Sequence, residues 1–121
     1  MADRFIIIKS DGKQTTVMNQ TKTANYLKNL INSNRHANLN QSLNDVDAGG
    51  KATGDYTFNG KPVKHSSSGI MGVKSVSLFF YIQDGVNYIF AMGEHAGSSS
   101  YKLTDYGQPT GDFQKNRTIS I

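Results

Sequence analysis

The chain has 121 residues, a net charge of +4 and a pI near 9.4, with neither cysteine nor tryptophan. That length predicts one domain built on one core, and the lack of cysteine excludes a disulfide scaffold, thiol catalysis and thiolate metal sites. The basic balance points to an anionic partner such as nucleic acid. The first ten residues, MADRFIIIKS, carry too short an apolar run and too early a charge for a secretion signal, so a cytoplasmic protein with no membrane partner is expected.

Arg4–Lys9 (RFIIIK) is a short β-branched run followed by Asp11-Gly12 and then Gln14–Met18 (QTTVM). An Asp-Gly pair between such runs predicts a hairpin, because a type I′ turn needs positive φ at both central residues. Asn19 to Thr23 offers helix N-caps, Thr21 and Thr23 foremost, and Ala24, Leu27, Leu30 and Ile31 recur at helical spacing, which predicts a helix over Lys22–Asn32. Leu39, Leu43 and Val46 predict a second, short helix that stops before Gly49-Gly50. Gly49–Ser68 is the least regular stretch; within it Asp55–Asn59 alternates like a strand, with Asn59-Gly60 as its turn. Tyr101–Thr104 and Arg117–Ile121 read as further strands, separated from the preceding hairpin by a Gly/Ser loop at Gly97–Ser100.

The clearest unit is Ser75–Gly93, two apolar runs around Asp84-Gly85. A two-residue loop pairs Gln83 with Val86, Tyr81 with Tyr88 and Phe79 with Phe90, and it sets Lys74 opposite His95. Val76, Leu78, Phe80 and Ile82 then share the other face with Ile89 and Ala91. Both faces are apolar, which predicts strands in mid-sheet. The element order predicts an α+β fold: an antiparallel sheet of about four to six strands with one or two helices packed on one face.

No P-loop, GxGxxG, GxSxG or HExxH occurs, and His36, His65 and His95 are too widely spaced for a local metal motif, so no metal or cofactor is expected. Ser98-Ser99-Ser100 reads as a flexible loop, and His36, beside Arg35 at a helix end, reads as a partner of a helix C-terminus. The aromatic set Phe79, Tyr81, Tyr88 and Phe90 is read as core in preference to a base-stacking platform. The candidate chemistry lies where the hairpin opens, at Glu94 and His95. A histidine there suits general acid–base work near neutral pH. Tyr101 is placed to donate a proton or stack on a base, and Lys61, Lys64, Lys74 and Arg117 are cations for a phosphate; Lys61 and Lys64 with His65 form a candidate anion site.

With those residues in view, the stretch SLFFYIQDGVNYIFAMGEH, with Tyr101 six residues beyond His95, resembles the catalytic hairpin of RelE-type RNase toxins from bacterial toxin–antitoxin pairs. The resemblance covers Lys74–Tyr101 and the preceding order of two helices. It implies RNA cleavage, free or on the ribosome, with His95 and Tyr101 near the scissile phosphate, Lys61 and Lys64 as supporting cations, and a cognate antitoxin or immunity protein. The chain departs from that pattern at the start of the first hairpin strand, where the family carries arginine and the nearest basic residue here is Lys74. The other reading of the same residues is a non-enzymatic protein-binding module, such as an immunity or accessory protein of a mobile element.

Overall fold

The computed structural model describes residues 3–69 and 74–121. Strand β1 (Phe5–Ile7) precedes helices α1 (Gln20–Lys28) and α2 (His36–Asp47), and six strands follow: β2 (Lys51–Phe58), β3 (Lys61–Ser68), β4 (Val76–Gln83), β5 (Val86–Gly97), β6 (Ser100–Tyr106) and β7 (Thr118–Ser120). The sheet order is β2-β3-β4-β5-β6-β7, antiparallel throughout, with β1 joining parallel beside the first residues of β5. The fold is α+β, with both helices on one face, as the element order predicted.

Local chemistry explains most of these elements. Asn19 caps α1, its Oδ1 accepting from the Lys22 amide at 2.8 Å, so the helix starts earlier than Thr21 or Thr23 would allow. It also ends earlier, because the Leu30 and Ile31 amides bond only three residues back and leave Leu30 exposed. His36 opens α2 and serves the other helix: its Nε2 lies 3.3 Å from the Lys28 carbonyl at the C-terminus of α1. Asp84-Gly85 and Asn59-Gly60 both adopt positive φ at both positions, which closes two tight hairpins. The Asp11-Gly12 turn forms as well, but its return segment meets β1 and Ile8 through isolated bridges, Phe5 with Met18 and Ile8 with Gln14, and through hydrogen bonds between Ile7 and Thr15. The stretch expected to be least regular is strand for most of its length, since β2 and β3 run through it.

One register detail differs from the sequence reading and has consequences. Gln83–Val86 and Tyr81–Tyr88 pair as expected, but a bulge at Phe90 sets Phe79 opposite Ala91. Beyond it every pairing moves by one residue. The hydroxyl of Ser75, not Lys74, therefore meets His95, accepting its backbone N–H at 3.0 Å. The bulge also turns Ala91 to the aromatic face and puts Met92 on the helix side.

Two cores result. Leu27, Leu39, Leu43 and Val46 of the helices pack on Val76, Leu78, Phe80, Ile89 and Met92. Each such side chain stabilises the fold by about 1.5–3 kcal/mol relative to leaving it exposed. On the other face Phe79, Tyr81 and Phe90 meet Val63, Leu103, Phe113 and Ile119. The sheet closes over this second core by curling. Strands three places apart in a flat sheet stand about 14 Å from each other, yet the rings of Phe58 in β2 and Phe90 in β5 stack with centroids 4.1 Å apart. The aromatic set is therefore core, with Tyr88 half-buried against Tyr81 at 4.8 Å.

Candidate functional site

The curl also joins β3 to β6 at one end of the second core. His65, on the side of β3 that carries Val63, points at Tyr101, its Nε2 3.5 Å from the tyrosine hydroxyl. Tyr101 is the cross-strand partner of His95, and the two rings lie with centroids 4.6 Å apart. Two imidazoles thus contact one phenol. Lys51 is paired with His65 across β2 and β3. A cavity of about 420 Å³ opens beside them, lined by Asp45, Gly50, Lys51, His65, Ser67 and Tyr101 among others.

The backbone that builds this corner is specific. Gly50 follows α2 with positive φ, and a Cβ there would stand 2.6 Å from the Phe80 ring and 2.9 Å from the His65 carbonyl. Only glycine lets the α2–β2 turn press against β3. Between Ala52–Lys64 and Thr57–Pro62 the ladder gains extra residues on β2, including positive-φ Gly54. That bulge brings Lys51, not Gly54, level with His65. On the other flank, Gly93 lets β5 and β6 approach so closely that a Cβ would fall 1.9 Å from the Lys102 carbonyl.

Beneath His95, Arg35 ties the strand ends together. Its guanidinium makes a two-pronged contact with Asp105 at 2.8 Å on each prong and also donates to the Ser75 and Gly93 carbonyls. The pair is well shielded, with side-chain exposures of 13% and 9%. A planar five-donor fork suits this arrangement of four acceptors; a lysine ammonium does not.

Electrostatics separate the roles of the three rings. Burial, then the charge of Lys51, then His95, push the His65 imidazole down to about 4, so it is neutral near pH 7. Its Nδ1 is buried without a hydrogen-bond partner among the described residues. Burial raises the Tyr101 hydroxyl above the ordinary phenol value, so it keeps its proton. His95 is half-buried.

Of the residues singled out from sequence, His65, His95 and Tyr101 come together. Glu94 does not join them: it pairs with Lys102, on the face of β5 opposite to His95. Lys64 pairs with Phe80 of the helix-side core, so it lies on the other face of β3 from His65. Lys61 opens β3, about 13 Å of strand from His65. Lys74 is exposed at positive φ, its carbonyl accepting from Asn38. Arg117 is exposed and pairs with Asp112 at 3.8 Å. Lys51, Asp45 and Arg35 were not foreseen. The Asn59-Gly60 turn pointed to β2 beside β3, but a plain register sets Gly54 against His65, and nothing in the sequence announces the bulge.

No family model, curated protein or solved structure matches the chain. No helix among the described residues is long and apolar enough to cross a membrane, and those residues contain no group of three or more metal-ligating side chains.

Proposed function

We propose that the protein is a metal-independent endoribonuclease of toxin type, working at the corner where His65, Tyr101 and His95 meet. The observation that carries this reading is a protonated tyrosine in contact with two imidazoles, beside a lysine that makes no ion pair among the described residues. Cleaving RNA by its own 2′-hydroxyl needs a base, an acid and a cation, and that corner holds all three. His95 takes the proton of the 2′-hydroxyl. The 2′-oxygen bonds to phosphorus, and the bond to the 5′-oxygen breaks. Tyr101 gives its proton to that leaving oxygen, and the proton on His95 then restores the tyrosine. Lys51 faces the phosphate oxygens, and neutral His65 holds the tyrosine in place. The products are a 2′,3′-cyclic phosphate and a free 5′-hydroxyl.

The net charge of +4 suits an RNA substrate, and the resemblance of the β4–β5 hairpin to RelE-type toxins points the same way. A nuclease acting in the cytoplasm of its own cell requires a neutralising antitoxin or immunity protein, which belongs to the same proposal. The test is incubation with total RNA and with translating ribosomes, reading the ends by mass spectrometry. Cyclic-phosphate ends support the reading; intact RNA in both mixtures overturns it.

A further inference from the structure

The cavity beside His65 and Tyr101 carries an acceptor as well as a cation. Asp45 lies in the last turn of α2, half-buried, and lines the cavity. Among the described residues the ion pairs are Arg4 with Asp47, Arg35 with Asp105 and Arg117 with Asp112, so neither Asp45 nor Lys51 is committed to a protein partner. The helix C-terminus adds partial negative charge at the same wall. The cavity, at about 420 Å³, falls in the range of ligand sites and has room for one unstacked nucleotide.

We infer that this cavity is a guanine-selecting pocket, with Asp45 reading the base and Lys51 holding the adjacent phosphate. An ionised carboxylate offers two acceptors and no donor. Guanine alone among the four RNA bases presents two neighbouring donors, N1–H and the N2 amino group, on its Watson–Crick edge. Adenine and cytosine place a ring acceptor beside their amino group, and uracil flanks its one donor with two carbonyls. Either arrangement sets a lone pair against the carboxylate. Single-stranded RNA exposes that edge, which is how proteins read unpaired bases. The inference rests on the proposed nuclease activity for its substrate, but base selection is measurable without cleavage.

The experiment combines two readouts on the whole chain. Calorimetry measures binding of the four nucleoside 3′-monophosphates, and a mixed-sequence oligoribonucleotide reports cleavage sites. Guanosine 3′-monophosphate should bind at least about tenfold more tightly than the other three, the value of one good bidentate contact. Asp45→Asn replaces one acceptor with a donor, so preference should move from guanine to adenine or cytosine. Loss of stability alone does not produce such a switch. Cleavage without guanine preference, or a preference that Asp45→Asn leaves in place, overturns the pocket and leaves the nuclease standing. Selective binding of guanosine 3′-monophosphate without cleavage of any RNA supports the pocket and overturns the nuclease. Absence of both overturns both.

Discussion

The Nε2 of His65 lies 3.5 Å from the Tyr101 hydroxyl although β4 and β5 stand between their strands in the sheet. Curling makes that contact, and the aromatic core under it holds the curl. The site is thus assembled from four strands, His65 on β3 and Tyr101 on β6, with β5 adding His95 and β2 adding Lys51.

Catalysis is expected to depend on the two groups that exchange protons. His95→Ala and Tyr101→Phe should each slow RNA cleavage by about 10²–10⁴-fold, with the circular dichroism spectrum unchanged. His95 is half-buried and Tyr101→Phe removes only a hydroxyl, so folding should survive both. Glu94→Gln, on the far face of β5, should leave the rate within about twofold, since a change outside the reacting groups removes no transition-state contact.

The buried imidazole of His65 should make stability depend on acidity. Its native value of about 4 lies below the unfolded value of 6.5. Between those limits the unfolded chain binds the proton and the folded one does not, so stability falls as the pH drops from about 6.5 to about 4 and gains nothing from this group below that. Urea titrations at pH 7, 5.5 and 4.5 should show this slope in the natural protein and a shallower one in His65→Phe. At pH 7 that variant should lie within about 1 kcal/mol of the natural protein, because it removes an unpartnered buried nitrogen and also the contact to the Tyr101 hydroxyl.

The Arg35–Asp105 pair should be costly to break on one side. Asp105→Ala leaves a shielded guanidinium without its counter-charge, and a loss of about 3–5 kcal/mol is expected in urea unfolding. Arg35→Lys should also destabilise, because one ammonium cannot reach Asp105 and the two carbonyls together. Replacing both partners by apolar residues should cost less than Asp105→Ala alone.

Gly93→Ala tests the close approach of β5 and β6. With the new Cβ only 1.9 Å from the Lys102 carbonyl, the ladder must separate, and a loss of about 3 kcal/mol or more is expected, or failure to fold. Gly12→Ala, where a Cβ meets nothing within 4 Å, should pay only the strain of its positive φ, about 1 kcal/mol. Thermal unfolding of the two variants side by side distinguishes steric contact from strain.

Local chemistry made much of the fold legible from sequence. Asp84-Gly85 and Asn59-Gly60 specify their turns because few residue pairs tolerate positive φ twice in succession, and Leu39, Leu43 and Val46 specify the buried stripe of α2. The α+β class follows from the order of such elements. His95 and Tyr101 were identifiable as neighbours because one short turn separates them. His65 was visible only as a basic residue near a proline.

Bulges were not legible, because an extra residue in a strand leaves no mark that alternation reveals. The one at Phe90 moved Lys74 out of register with His95, and the one in β2 brought Lys51 against His65. By itself the sequence determined the turns, the helices and the apolar faces of the hairpin as far as the bulge at Phe90, all of which depend on residues within a few positions of each other. The tertiary structure alone decided which face the helices cover, how far the sheet curls, and that Asp45, Lys51, His65 and Tyr101 share one cavity, because those outcomes depend on packing between distant segments.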